Sequence, residues 1–186
     1  MQRHRTAIVI AVVGATLTSA PALAQGRGGS GMGAGMMGMA RDSATMAQMR
    51  VIHELVVNNE RITRTVTNLH DGIRTVTESD DPRLAQLIKE HVLTMDQRVS
   101  KGDDPGLPME SPALHAIFRG KDNIRTTTDT TAAGIVVVQT STDSALVAAL
   151  QQHAAEVTDL VKRGMTAMHE AMMKNGPGMM HRMRPR

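Results

Sequence analysis

"GIRTVTESDDPRLAQLIKEHV", Gly72 to Val92, and "GIVVVQTSTDSALVAALQQHA", Gly134 to Ala154, read as one passage written twice, 62 residues apart. Each opens on a glycine followed by Thr/Val/Ile alternation, the pattern of a strand with one buried face. Each then reaches a helix start. Asp81 is placed as N-cap with Pro82 at the first helical position, and Asp143 is placed as N-cap of the second copy. Each closes on an amphipathic helix. The apolar stripe of the first is Leu84, Leu87, Ile88, His91, Val92, Met95 and Val99; that of the second is Leu146, Leu150, His153, Val157, Leu160 and Val161. In both copies an imidazole occupies a place where the 3.6-residue period asks for an aliphatic side chain.

The register extends in both directions without a gap. It aligns His53 with His115, Ile62 with Ile124, Thr65 with Thr127, Val76 with Val138, Ser79 with Ser141, Val99 with Val161 and Gly102 with Gly164. Counted with the pairs at Gly72, Ile73, Asp81, Leu84 and His91, twelve positions between 53 and 102 are identical to their counterparts. Upstream of each passage lies another strand, "RITRTVTNL" or "IRTTTDT". It is joined through His70-Asp71-Gly72 or Ala132-Ala133-Gly134, hairpin-type turns with a glycine for positive φ. Before that comes a helix carrying the first histidine, "ATMAQMRVIHELVVNN" or "SPALHAIFRG", with Ser111 as N-cap of the latter. The linker is "KGDDPGLPMESP".

A period near sixty fits two copies of one supersecondary unit. The expected fold is α+β: a tandem duplication of an αββα unit, repeats about 44–102 and 111–168, related by a pseudo-two-fold axis. Two hairpins form a four-stranded antiparallel sheet with the long helices packed on one face. The hairpins pair either within the chain or between chains, the latter giving a homodimer.

The ends of the chain read differently. "MQRHR" followed by "TAIVIAVVGATLTSA" and Ala22-Leu23-Ala24 has the plan of a Sec-type signal peptide, residues 1–24, with cleavage after Ala24. It implies a periplasmic or secreted protein. Nothing else in the chain is apolar enough for a membrane span. Residues 25–43, rich in Gly and Met, read as a flexible leader, 44–174 as a single duplicated domain, and 175–186 as a flexible Met/His/Arg tail. Without Arg3 and Arg5 the formal charge of +3 falls to +1. That near-neutrality, with no Trp or Tyr and one Phe, speaks against nucleic acid as a partner. There is no cysteine, so disulfides, thiolate metal sites and covalent haem attachment are excluded.

The residues with chemistry to offer are histidine and methionine. His53, His91, His115 and His153 form two repeat-equivalent pairs, and Met95 follows His91 by one turn. A second set is richer in thioether: Met46 and Met49 ahead of His53, then Met165, Met168, His169, Met172 and Met173, and His181 in the tail. Neutral imidazole and thioether without thiolate suit Cu(I). The first functional expectation is therefore a periplasmic copper-binding protein for metal storage, delivery or tolerance, with a periplasmic donor or acceptor protein as partner. The second is non-covalent haem b binding, with His91 and His153 as axial ligands. The third is a cofactor-free binding or stress module in which the histidines pack or sense pH. Phosphate loops, nucleophile elbows, HExxH and dinucleotide fingerprints are absent, so the chain reads as a binding protein more than as an enzyme. The threonines Thr63, Thr65, Thr67, Thr75, Thr77 and Thr126 to Thr128 fit an exposed sheet face. The carboxylates Glu78, Asp80 and Asp81 fit helix capping, and Asp103-Asp104-Pro105 a solvated turn.

The stretches "NLHDGIRTVTESDDP", "LIKEHV" and "GDDPGLPMESPALHAIFR" together resemble an uncharacterised exported bacterial protein family. The resemblance runs from about His53 to Met168 and implies no activity.

Overall fold

The computed structural model describes residues 32–175, with side chains at Ser43 and from Thr45 onward. The expected signal peptide, the first part of the leader and His181 lie outside the described residues. Alternation of Thr with Val, Ile and Arg builds two hairpins, β1 (Thr63–Leu69) with β2 (Gly72–Glu78) and β3 (Ile124–Thr130) with β4 (Gly134–Ser141). They join into one four-stranded antiparallel sheet in the order β1-β2-β4-β3. In this single chain the pairing is closed between its own two hairpins. At the central seam Gly72 faces Thr140 and Gly134 faces Glu78, while Thr75 faces Val137.

Among the described residues there are five α-helices: α1 (Met32–Val57), α2 (Pro82–Lys101), α3 (Pro112–Arg119), α4 (Ser144–Arg163) and α5 (Met165–Asn175). Both long helices begin as their sequences dictate. The Asp81 carboxylate accepts from the N–H groups of Arg83 and Leu84, and Asp143 accepts from Ala145 and Leu146. Either cap satisfies donors that a helix start would otherwise leave unpaired. The stripes then bury Leu84, Ala85 and Ile88 on α2 and Leu146, Ala149, Leu150 and Ala154 on α4. Helix α2 lies mainly over β4, and α4 mainly over β2 and β1, so each long helix covers strands of the other half. The core is aliphatic. One cluster gathers Ile73, Ile117, Ala149, Leu150 and Ala154, and another Ile62, Ile88 and Ile135.

Three expectations are corrected. Helix α1 begins at Met32, inside the stretch read as a flexible leader, because the Met and Ala between its glycines are strong helix formers. Thr75 and Thr77 are not on the solvent face: they are 5% and 8% exposed and point towards the helices with Ile73. Asp104 does not sit in a solvated turn. It is half-buried and bonded to His115. No described helix is long and apolar enough to cross a membrane.

Candidate functional site

Between the sheet and its helical roof lies a cavity of about 410 Å³. Its floor is the inner sheet face: Arg64 from β1, Thr75 and Thr77 from β2, and Val137 and Gln139 from β4. Its roof comes from α2 with His91, Val92 and Met95, and from α4 with His153, Val157 and Leu160. Helices α1 and α5 and the segment around Glu110 close the ends. The volume falls in the range of small-molecule pockets, and most of the wall is aliphatic.

The two imidazoles meet here because α2 and α4 carry them one turn beyond their buried leucine and isoleucine. The Gln48 amide on α1 hydrogen-bonds His91 Nδ1 at 2.6 Å. Burial, with the charge of nearby His153 adding to it, pushes the His91 pKa down to about 4. His91 is therefore neutral at physiological pH and its remaining ring nitrogen is Nε2. Across the cavity, His153 Nδ1 lies 3.9 Å from Glu156 Oε2. Glu156 also accepts from Ser111 Oγ at 2.6 Å and from Gln152 Nε2 at 3.0 Å. Burial raises its carboxyl, but His153, Ser111 and Gln152 outweigh it and bring the pKa to about 2. An ionised carboxylate beside Nδ1 favours the tautomer that leaves the Nε2 lone pair free, the arrangement common behind metal-bound imidazoles.

Two further ionisable groups border the cavity. The Arg64 guanidinium donates from Nη1 to Thr77 Oγ1 at 2.5 Å, while its buried Nε has no partner. Burial lowers its pKa to about 10, so it stays cationic. Glu110 is 5% exposed and neither carboxylate oxygen accepts a hydrogen bond. Burial and then the neighbouring Asp104 raise it to about 8, so it is protonated at neutral pH.

Of the residues singled out from sequence, His91, His153 and Met95 line this cavity together. His115 does not: its Nδ1 is 2.6 Å from Asp104 Oδ2, beyond the cavity wall. His53 is exposed on α1, in a shallow concavity with Met46 and Met49. The four histidines thus divide among three places. Met168 is 2% exposed and packs, whereas Met165 and Met173 are 44% and 58% exposed. His169 is exposed and Met172 half-buried, so the methionine set of α5 does not converge on one point. Sequence reasoning missed Arg64, Gln48, Glu110 and Glu156. Arg64 had a signal, since strand alternation places it on the face of Ile62 and Val66. Glu156, three residues after His153, shares its helical face. Gln48 and Glu110 had none, because only the tertiary fold brings Gln48 to His91 and Glu110 to the cavity. Comparison with protein-family models, curated proteins and solved structures finds no match to this chain.

Proposed function

We propose that this is an exported haem-binding protein, whose cavity takes haem b with His91 and His153 as axial imidazoles. One observation carries the reading: repeat-equivalent histidines on α2 and α4 line a single, largely aliphatic cavity of about 410 Å³. A bare ion would fill a small part of that space, whereas a flat apolar macrocycle uses the aliphatic walls and both imidazoles. The cationic Arg64, with its Nε unpaired, suits a carboxylate such as a propionate. Bound iron would supply the redox or ligand-binding chemistry. The chain's own part is to present two imidazoles, exclude water and offset the carboxylate charge.

The duplication belongs to the same proposal. Shifting the Gly72–Thr140 pair by 62 residues turns it into the Glu78–Gly134 pair, and Thr75 pairs with its own counterpart Val137. Lys89 Nζ donates to Thr131 O in the second hairpin turn, and Gln151 Nε2 to Leu69 O in the first. These are the same contact under the same shift, although the residues differ. Such correspondences support a pseudo-two-fold passing near the cavity, with one axial ligand from each half.

A second reading, Cu(I) held by His91, His153 and Met95, is favoured by the Met95 and Met109 side chains on the same wall. Reconstitution separates the two. Purified protein mixed with ferric haem b should give a shifted Soret band with low-spin bis-imidazole character. The His91→Ala/His153→Ala double variant should lose it while keeping its far-UV circular dichroism. An unshifted haem spectrum in wild type, together with tight anaerobic Cu(I) binding, would replace haem with copper as the ligand.

A further inference from the structure

At the edge of the cavity, one cluster has no place in the haem reading; of its members only Glu110 also lines the cavity. Asp104, Glu110 and His115 bring one ligand atom each to within 4.8 Å of one another. We propose that these three residues form a separate site for a divalent first-row cation, with Zn²⁺ as the best match to the donor set.

The local structure builds the site from a short run of chain. Gly106 turns the linker, and its N–H donates to Asp104 Oδ1 at 3.0 Å, fixing that carboxylate. A second turn closes with Glu110 N–H on Leu107 O at 2.9 Å. Ser111 then caps α3 and places His115 one turn into the helix. The His115 Nδ1 atom is 2.6 Å from Asp104 Oδ2 and 3.9 Å from Glu110 Oε2. Four-coordinate zinc, with bonds of about 2.0–2.2 Å, sets its donors roughly 3.3–3.6 Å apart. One of these separations must open and the other close, each by less than about 1 Å.

The independent observation is Glu110. Its side chain is only 2% exposed, faces His115, and neither oxygen accepts a hydrogen bond. Held against the Asp104 carboxylate, this buried carboxyl carries a charge only at a cost, and a cation between the two carboxylates and His115 removes that cost. Asp104 and His115 are 29% and 34% exposed, which leaves an entry path and room for water as fourth ligand. Two carboxylate oxygens with one imidazole are too hard a set for Cu(I) and too few oxygens for Ca²⁺. Around His53, the counterpart of His115, the concavity holds Met46, Met49 and a single carboxylate, Glu54, which is ion-paired with Arg83. The site therefore belongs to the second half alone.

The test is competition for Zn²⁺ between the purified haem-free protein and a chromophoric chelator. One tight equivalent per chain is expected, with a rise in melting temperature on adding zinc. Glu110→Gln and His115→Ala should each weaken binding by at least about tenfold, and Asp104→Asn, at the more open end, should do the same in a protein whose far-UV circular dichroism is unchanged. His53→Ala should bind zinc as wild type does. Absence of a tight equivalent in wild type, or equal binding in all three site variants, overturns the proposal. Asp104→Asn and His115→Ala keep the two tests apart, since neither residue borders the cavity: both should lose zinc and keep the bis-imidazole haem spectrum, whereas Glu110 lines the cavity and its variant is read for zinc alone.

Discussion

At the scale of single residues, Gly72 and Gly134 are required by contact and not by turn conformation. A Cβ on Gly72 would fall inside the van der Waals radius of the Gln139 carbonyl oxygen, and one on Gly134 would do so at the Thr77 oxygen. Both obstacles are backbone in the central seam, so neither can swing aside. Gly72→Ala or Gly134→Ala should each lower stability by about 1–3 kcal/mol, the usual cost of overpacking, in urea unfolding. A change below the error of that measurement would mean that the seam is looser than drawn. Asp81 gives a different signature. The N–H groups of Leu84 and Arg83, with the charge of Arg61 adding, hold its carboxyl below the usual value of 3.8. A depressed folded-state pKa means stabilisation that is complete at neutral pH and lost as pH falls below 3.8 through the folded value. Asp81→Asn still caps but cannot titrate. It should melt below wild type at pH 7, and the gap should close as pH falls below 3.8 through the folded value. A gap that stays constant across the acid range would remove the carboxylate from this role. The histidine positions were legible in the sequence because an imidazole interrupts a helical period. Arg64 was passed over because a charge on a threonine-rich strand reads as solvent-facing.

At the scale of elements, strands and caps were the most legible features. Both strands of the second hairpin have the limits that their sequence implied, because alternation bounded by glycine or by an Asp cap leaves little freedom. Partnerships across the molecule were not legible. Lys89 and Gln151 stand 62 residues apart and share no chemistry in the sequence, yet each fastens α2 or α4 to the opposite hairpin turn. Lys89 Nζ reaches Thr131 O at 3.0 Å and Ala132 O at 3.3 Å, and Gln151 Nε2 reaches Leu69 O at 3.0 Å and Gly72 O at 3.3 Å. Lys89→Met should leave the helix intact and free the β3–β4 turn, while Gln151→Met should free the β1–β2 turn. With about 0.5–1.5 kcal/mol in such bonds, amide hydrogen exchange should quicken by up to about tenfold. The acceleration should be confined to residues 131–134 in one variant and 69–72 in the other. Equal acceleration across the whole sheet would show that these side chains hold the global fold and not the turns.

At the scale of the whole molecule, the two halves are interleaved more than they are adjacent. Each long helix covers strands of the other half, and the only seam between hairpins is β2 against β4. Asn59 Nδ2 donates to Val161 O, a further tie between the first half of the chain and the second. With no cysteine in the chain, nothing covalent replaces these contacts. A fragment of residues 32–102 would expose the edge of β2 and the buried stripe of α2. A fragment of residues 103–175 would do the same with β4 and α4. Exposed central edges of this kind pair with whatever is available. Each fragment alone should therefore be poorly ordered or self-associated by circular dichroism and size-exclusion chromatography. An equimolar mixture should instead give a 1:1 complex with the secondary structure of the intact chain. A fragment that folds alone as a monomer would refute this interleaving. The same mixture tests where the site resides. His91 lies in one fragment and His153 in the other, so bis-imidazole haem uptake should appear only in the complex, whereas the zinc ligands Asp104, Glu110 and His115 all lie in the second fragment and still need the first to bury Glu110.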